Sequence, residues 1–465
     1  MKTRVTAIFD IGKTNKKFFL FDENYREIHN NYIRFDELTD QEGFQMESLS
    51  DLVKWIKKCI NDLLLEDQYE ILGVNFSTYG ASLVHLDQDG NQVGDFYSYL
   101  KPFDTYLRAA FLKDYGSEKE LCKTTASPFL GMLNSALQLY YIKNKKPEIF
   151  NKIQKSLHFP QYLSYIFTQK MTADYTSMGC HTMFWDYDSH QYHQWLKEEG
   201  MSDFLVPVLP SDSVSMINYR GAQFKVGTGV HDSSAALLPY IKGIADSFVL
   251  ISTGTWSICM NYFNQAELTI DEIEKDCLNF MSTDGKNVRA ARLFLGNELR
   301  QQAMKMGEAF GVEYHIYKSI AYHSNFKSKR TNAKQLLFAL GGLGVERFGY
   351  SCPESTDYSL FESFEEAYHE LLDELTDLQV ESLQLAIGQS SISQIYIDGG
   401  FGANELFTQM LANKLQAFEL YSTSFSLGSA LGAAMLVNDN YLPDNFMKEN
   451  YSIKRHLPTA TLVNQ

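Results

Sequence analysis

The chain has 465 residues, of which 45% are hydrophobic, so it is long enough for two or three domains with substantial cores. Its formal net charge of -16 disfavours nucleic acid and membrane surfaces as partners, because both attract basic patches. No run approaches the roughly 20 apolar residues of a membrane span, and the apolar stretch after Arg4 is too short for a signal-peptide core. The six cysteines are scattered, which predicts reduced thiols in a cytosolic, cytoplasmic protein rather than disulfides or a zinc site.

The first predicted elements form a strand, a tight turn and a second strand. Residues 5–9 are an apolar run that enters the turn, and residues 18–21 continue as its hairpin partner. Apolar residues at helical spacing predict a helix over 49–65. Residues 71–76 have the composition of a second buried strand, and we expect residues 81–86 to pair near it.

The second half of the chain repeats this order of elements. A strand over 248–251 enters the turn Ser252-Thr253-Gly254, which aligns with Asp10-Ile11-Gly12 in the first half. A strand over 395–398 then runs into a glycine-rich turn, as residues 74–77 do earlier. Such repetition predicts two related α/β domains that face each other across a cleft: residues 1–243 and residues 244–465.

The first turn, Asp10-Ile11-Gly12-Lys13-Thr14-Asn15, has features of a phosphate site. Gly12 permits tight backbone geometry, so main-chain N–H groups can face phosphate oxygens. Lys13 adds positive charge, and Asp10 suits Mg²⁺, which takes one or two carboxylates together with phosphates and water. An ordinary hairpin turn is the alternative interpretation, because Asp-x-Gly is common in turns.

Two turns in the second half have related chemistry. Residues 252–257 place four hydroxyls around Gly254 after a buried strand, and the match in spacing to the first turn favours phosphate binding over a plain polar turn. Residues 399–404, Gly-Gly-Phe-Gly-Ala-Asn, follow a strand and open a helix, where a base or ribose can approach the backbone. A glycine-rich connection is the alternative, and the absence of Gly-Lys-Ser/Thr excludes a Walker A loop.

Asp232 lies in the sequence just before the second turn, after His231. A carboxylate there can take a proton from a hydroxyl while the two turns hold the phosphates of a nucleotide, which is the layout of a small-molecule kinase. Two alternatives stay open: Asp232 as a helix N-cap, and His231 as a packing residue rather than a substrate contact. Aromatic and histidine side chains over residues 181–195 predict packing, because their spacing is poor for a metal site.

Taken in this order, these segments resemble the FGGY family of carbohydrate kinases, within the actin-like, ribonuclease H-like ATPases. The resemblance covers nearly the whole chain, and the His-Asp pair and the Thr-Gly-Thr-Trp turn are similar to the deoxyketose kinases of that family. It implies that Asp232 is the general base, that Asp10 binds Mg²⁺ and that ATP donates the phosphate. The residues implied to bind the nucleotide are Gly12, Lys13, Thr14, Asn15, Thr253, Gly254, Thr255, Asn297, Gly399, Gly400, Phe401 and Asn404.

On the sugar side the resemblance is weaker, since Ser77 and Ser82 stand where the family's Asp-Thr-Trp-Gly-Val-Asp stretch has acids, and Tyr79 replaces the tryptophan. The residues implied to bind sugar are Thr78, Tyr79, Ser82, Asp104 and His231. The expected substrate is a neutral ketose, in particular a 6-deoxyketose such as L-rhamnulose or L-fuculose, phosphorylated at a primary hydroxyl.

Two other functions remain open from the sequence. One is an actin- or Hsp70-like ATPase that switches with nucleotide and has no small substrate. The other is a catalytically idle, sugar-sensing member of the family. The sequence decides neither the sugar nor whether the protein is a monomer or a homodimer.

Overall fold

The computed structural model describes residues 2–36, 38–40, 42–324, 326–424, 427–438, 442–443 and 445–459. The strands of the first half are β1 (Thr3–Ile11), β2 (Lys16–Phe21), β3 (Glu27–Ile33), β4 (Leu38–Thr39), β5 (Gln45–Met46), β6 (Tyr69–Thr78), β7 (Leu83–Leu86), β8 (Gln92–Val93), β9 (Lys155–His158), β10 (Ala173–Asp174), β11 (Trp185–Asp186), β12 (Gln191–Tyr192), β13 (Val208–Leu209), β14 (Val214–Tyr219), β15 (Ala222–Gly227) and β16 (Val230–His231). Its helices are α1 (Leu49–Leu65), α2 (Thr105–Tyr115), α3 (Glu118–Thr124), α4 (Ser135–Lys145), α5 (Pro147–Phe150), α6 (Phe159–Thr168), α7 (Tyr175–Met178), α8 (Gln194–Glu198) and α9 (Asp232–Gly243), with 3₁₀ turns at Gly131–Leu133 and Ser202–Phe204.

The strands of the second half are β17 (Phe248–Thr253), β18 (Ser257–Asn261), β19 (Cys277–Met281), β20 (Asn287–Leu293), β21 (Gln394–Gly399), β22 (Glu419–Ser422) and β23 (Lys454–His456). Its helices are α10 (Ile270–Glu274), α11 (Leu295–Phe310), α12 (Phe364–Ile387), α13 (Glu405–Lys414), α14 (Gly428–Val437) and α15 (Phe446–Asn450), with 3₁₀ turns at Tyr314–Ser319, Gly341–Leu343, Val345–Phe348, Tyr358–Leu360 and Gly400–Ala403. No helix among the described residues is long and apolar enough to span a membrane.

Each half is built on one sheet, and the two sheets repeat the same pairing. In the first half β1 pairs antiparallel with β2 and parallel with β6. In the second half β17 pairs antiparallel with β18 and parallel with β21. The turn after β1 therefore has its counterpart in the turn after β17, as the repetition in the sequence predicts.

The predicted helix over 49–65 is confirmed as α1, and its sequence explains where it begins and which face it buries. The hydroxyl of Ser48 caps the helix by accepting the N–H of Asp51, which satisfies one of the free N–H groups of the first turn. Leu52, Ile56 and Ile60 recur at helical spacing and are buried against the first sheet.

The expectation that residues 81–86 pair near the second strand is wrong. After Gly80 the chain turns at Ala81, whose φ of 63° lies in the left-handed region and redirects the backbone out of the first sheet. Strand β7 instead pairs with β8 and β9 in a separate small sheet.

Helices α9 and α14 join the two halves. A Cβ on Gly432 of α14 would lie 1.9 Å from the carbonyl oxygen of Ala235 in α9, so the two helices touch through their backbones. Helix α14 also meets the first sheet, where the side-chain amide of Asn75 donates to the carbonyl of Ala433 at 2.9 Å. A helix from the second half thus packs on the first, while the domain boundary at residue 243 stays a prediction.

Buried histidines in the small sheet give the fold a dependence on pH. Burial lowers the pKa of His85 to about 4, below its ordinary value near 6.5. Between these values the unfolded chain binds a proton that the folded chain does not, so stability falls as pH drops from about 6.5 towards 4.

We therefore expect His85→Gln to flatten this dependence. From pH 7 to pH 5, the free energy of unfolding of the wild type should fall by about 2 kcal/mol more than that of the variant, at about 1.4 kcal/mol per pKa unit. Urea unfolding at the two pH values measures the difference. A difference between the two proteins that does not change with pH would contradict the assignment of His85 as a buried neutral side chain.

Candidate active site

A cleft of about 910 Å³ lies between the two halves, and Asp232 is in its lining. The short strand β16 pairs with the end of β6, so Asp232 emerges beside the carboxyl ends of the first sheet. Oδ1 of Asp232 accepts the N–H of Ser233 at 2.6 Å and its hydroxyl at 3.2 Å. About a third of the Asp232 side chain is exposed to the cleft (34%). The helix N-cap is His231, so Asp232 is not an N-cap residue.

Asp10 lies at the end of β1, in the same electrostatic environment as Asp232. Lys17 Nζ is 3.3 Å from Oδ2 of Asp10, and the hydroxyl of Ser429 donates to Oδ1 at 2.9 Å. Burial raises the pKa of Asp10, Lys17 lowers it in part, and the negative charge of Asp232 raises it again. A buried carboxylate whose pKa is raised by a second negative charge is stabilised in its ionised form by a cation.

The first turn is closed by its own hydrogen bonds. The N–H of Gly12 donates to the carbonyl of Asn15 at 3.0 Å. Lys16 donates to the carbonyls of Gly12 and Lys13 at 3.0 and 2.9 Å, so its ammonium group stabilises the conformation of the turn. Lys13 points elsewhere: its Nζ is 3.1 Å from Glu47. Thr14 is exposed at the tip.

Two residues of the second turn are exposed, whereas the side chain of a third makes hydrogen bonds within the fold. Gly254 and Thr255 are exposed. The hydroxyl of Thr253 donates to the carbonyl of Asp398 at 2.6 Å and accepts the N–H of Phe401 at 3.1 Å, so it ties β17 to the glycine-rich turn. Asn297 reaches this turn through its backbone, since its N–H donates to the carbonyl of Thr255 at 3.1 Å.

In the glycine-rich turn the two leading glycines differ. Gly399 has a φ of 88°, and a Cβ there would lie 1.9 Å from the carbonyl oxygen of Thr253, so only glycine fits. Gly400 is exposed and has no atom within 4 Å of an added Cβ. Phe401 is buried, and Asn404 caps α13 by accepting the N–H of Phe407, so both side chains serve the fold.

The sugar-side residues are only partly brought together. Tyr79 and His231 line the cleft, and the Tyr79 hydroxyl donates to Glu47 at 2.8 Å. Burial, followed by the charge of Glu47, raises the pKa of Tyr79 well above its usual range, so the phenol stays protonated.

Three implied sugar ligands lie outside the cleft lining. Thr78 is buried, and its hydroxyl donates to the carbonyl of Tyr79. Ser82 is buried where the chain leaves the first sheet. Asp104 caps α2 and is 2.7 Å from Lys145 in an ion pair. Thr78 and Ser82 are enclosed by the fold, and the carboxylate of Asp104 is occupied by the first turn of α2 and by Lys145.

Other cleft residues were not predicted from the sequence. Trp256, Phe280 and Arg292 line the cleft from the second half. Arg292 is paired with Asp276 at 2.7 Å, and its guanidinium carbon is 5.3 Å from the centroid of the Trp256 ring. Trp256 lies inside a turn that the sequence singles out, whereas Phe280 and Arg292 come from strands with no local signal.

The clustered aromatics and histidines over residues 181–195 are largely packing, as predicted. Trp195 is fully buried, and its ring centroid is 5.0 Å from that of Phe111. No group of three metal-ligating side chains occurs among the described residues. His181 is the exception to the packing role, because it reaches the lining of the cleft.

Two repeated α/β halves on either side of a shared cleft form a two-domain, actin-like fold. Solved structures share the fold. A xylulose kinase from Rhodospirillum rubrum superposes with a TM-score of 0.79 at 15% identity, covering 99% of this chain and 95% of that one. A gluconate kinase from Lactobacillus acidophilus has a TM-score of 0.78 at 15% identity, with 99% and 94% covered.

The family follows from sequence comparison. Residues 5–232 match the N-terminal domain of the FGGY family of carbohydrate kinases. A rhamnulokinase from Halalkalibacterium halodurans is 23% identical over 433 residues, which are 87% of this chain and 85% of that protein. The chain belongs to the FGGY family of carbohydrate kinases, and it is an ATP-dependent sugar phosphotransferase.

Proposed function

We propose that the protein transfers the terminal phosphate of ATP to a primary hydroxyl of a ketose, with Asp232 as the general base. The observation that carries this proposal is the partly exposed carboxylate of Asp232 in the wall of the cleft between the halves. As the hydroxyl attacks the phosphate, Asp232 accepts its proton. Phosphoryl transfer otherwise depends on positioning and charge stabilisation more than on covalent chemistry.

On the nucleotide side, the exposed groups at Gly254, Thr255 and Gly400 support binding of the phosphates and the ribose or base. Lys17, 3.3 Å from Asp10, brings positive charge close to the carboxylate proposed for the metal. The donor set fits Mg²⁺, because Asp10 offers a carboxylate and the ion takes its other ligands from phosphates and water. When bound, Mg²⁺ neutralises charge on the phosphates, and Asp10 would hold it there.

For the sugar, we propose a 6-deoxyketose such as L-rhamnulose or L-fuculose. The relative named rhamnulokinase supports this choice. So do the aromatic side chains that line the cleft, because a deoxy sugar presents a methyl group to them: Tyr79, Phe103, Phe129, Trp256 and Phe280. One buried methyl contributes only about 1 kcal/mol, so related sugars should react five- to tenfold less well rather than not at all.

A comparison of kcat/KM for L-rhamnulose, L-fuculose, L-ribulose and D-xylulose tests the substrate. We expect one of the two deoxyketoses to be preferred by about five- to tenfold over the sugars that lack its methyl. Hydroxyl stereochemistry should matter as much, because a buried polar group left unpaired costs about 1 to 3 kcal/mol. A clear preference for D-xylulose, or activity only on a polyol, would contradict the deoxyketose while leaving the kinase standing.

The same assay separates the two other functions. An ATPase switch would release ADP at the same rate with and without sugar. An idle, sugar-sensing member would bind a ketose and form no sugar phosphate. Asp10 and Asp232 are both present and near each other, which favours the active kinase over either alternative.

A further inference from the structure

The two oxygens of the Asp232 carboxylate have different surroundings. Oδ1 accepts two hydrogen bonds, from the N–H and the hydroxyl of Ser233, and Nε2 of His231 lies 3.3 Å from it. No hydrogen bond reaches Oδ2 from the part of the chain that the structure describes. If Asp232 is the base of the proposed function, Oδ2 is the oxygen left to accept the proton of the sugar.

His231 is placed to hold Oδ1 rather than to bind sugar. Only 6% of its side chain is exposed. Its backbone N–H donates to the hydroxyl of Thr176 at 2.9 Å, and its ring meets Phe280 edge-on at 5.8 Å between centroids. The ring therefore has little freedom to turn towards a ligand.

A line of buried side chains continues from His231 away from the carboxylate. Sγ of Cys180 is 3.2 Å from Nε2 of His231 and 3.3 Å from Nε2 of His181. Nδ1 of His181 is in turn 3.3 Å from the carbonyl oxygen of Leu133. The carbonyl of Leu133 lies at one end of the line and the carboxylate of Asp232 at the other. Both groups can only accept hydrogen bonds.

These acceptors fix the direction of every hydrogen bond between them. The carbonyl of Leu133 requires the proton of His181 on Nδ1, and burial lowers the pKa of His181 to about 3, so its Nε2 is bare. The thiol of Cys180 then donates to His181, which leaves its sulfur free to accept from His231. Burial also lowers the pKa of His231, so this ring is neutral.

With its proton on Nε2, His231 donates to the sulfur of Cys180, and Oδ1 of Asp232 lies 3.3 Å from the same nitrogen. Its bare Nδ1 lies 3.4 Å from the hydroxyl of Ser234, which donates to the carbonyl of Met281 at 3.2 Å. Had the proton been on Nδ1, the lone pair of Nε2 would face a carboxylate that has nothing to donate. One tautomer of each histidine satisfies the whole line.

We propose that His231, supported by Cys180 and His181, is a positioning residue that holds Oδ1 of Asp232 and so presents Oδ2 to the substrate hydroxyl. The inference rests on the proposed function for its catalytic meaning. His231 acts through Asp232, and Cys180 acts through His231. Loss of the support should lower the rate of transfer without weakening the binding of sugar.

The test compares Cys180→Ala with Cys180→Ser, using the best ketose of the substrate assay. Alanine removes both donor and acceptor, and we expect kcat to fall about tenfold, since misplacing a reacting group by 1 Å can cost as much as 10²-fold. KM for the sugar should change less than about twofold, because binding energy is not removed. Serine can both donate and accept, so it should recover most of the lost kcat.

Cys122→Ala is the matched control, because Cys122 is buried in the first half but lies outside the cleft lining. A kcat for Cys180→Ala equal to that of this control would overturn the proposal. So would a raised KM with kcat unchanged, which would make the line a part of the sugar site.

Nitrogen NMR of the histidine side chains gives a readout that does not depend on activity. We expect the proton on Nε2 of His231 and on Nδ1 of His181, with the signals assigned by His231→Gln and His181→Gln. A proton on Nδ1 of His231 would overturn the proposal that His231 positions Asp232. A wild-type protein that phosphorylates no sugar would instead overturn the proposed function, so the two failures are distinguishable.

Discussion

Asp232→Asn is expected to lose nearly all sugar phosphorylation while still binding ATP. Asparagine keeps the shape of the side chain and loses the proton acceptor, and a general base contributes typically about 10²- to 10⁴-fold to the rate. In the proposed mechanism this carboxylate contacts the sugar hydroxyl and not the nucleotide, so the affinity for ATP should hardly change. A coupled assay for ADP gives kcat, and calorimetry gives the dissociation constant for ATP.

Asp67→Asn is a suitable control, because Asp67 is an exposed acid in the connection after α1. It should match wild type in both measurements. An Asp232→Asn enzyme that keeps more than about a tenth of wild-type kcat would show less than the usual loss for a general base. That result would remove Asp232 from the catalytic role.

The second large effect is expected at Gly400→Val, which should weaken ATP binding about tenfold. A side chain at this position meets no protein atom within 4 Å, so it extends into the space proposed for the nucleotide rather than into the core. Filling a binding space costs typically about 1 to 3 kcal/mol, as overpacking does elsewhere. Calorimetric titration with ATP measures the change in affinity.

Gly400→Ala is the graded companion, because its single methyl fills less of the same space. We expect an intermediate affinity for this variant and a thermal stability close to wild type for both. Substitution of the neighbouring Gly399 would not serve, since its Cβ would strike the carbonyl of Thr253 and disturb the fold. Unchanged nucleotide affinity in folded Gly400→Val would exclude this turn from the site.

The architecture could be read from the sequence because its signals are local. The strand over residues 5–9 and its hairpin partner are marked by apolar runs around a glycine turn, and both form as β1 and β2. The same pattern recurs around Gly254, which is why the repeat of the two sheets was visible. Strands that align in this way end at the same edge, so the turns and Asp232 could be expected there.

The direction of individual side chains was less accessible. Thr78 and Tyr79 are neighbours in a resembling stretch, yet only Tyr79 lines the cleft, because Thr78 is the buried last residue of β6 and Tyr79 follows the strand. Asp104 satisfies N–H groups at the start of α2, a role that a sequence match cannot distinguish from ligand binding. A resemblance to a family identifies positions along the chain, but the direction of each side chain depends on the folded structure.

Residues that meet only in three dimensions could not be found at all. His181 comes from a connection after α7, Phe280 from β19 and Arg292 from β20, and no spacing in the sequence joins them. Cys180 gave no signal either, since an isolated cysteine among apolar residues is typical of packing. Cys180 meets His181 and His231 within the first half, whereas Phe280 reaches the ring of His231 from the second half.

Phosphate transfer that requires sugar is tested most directly by phosphorus NMR of the protein with ATP, Mg²⁺ and a deoxyketose. We expect a new phosphomonoester signal that grows in step with ADP, and negligible ADP when the sugar is omitted. ADP that accumulates equally without sugar, with no phosphomonoester formed, would contradict a sugar kinase and favour a nucleotide-switched ATPase.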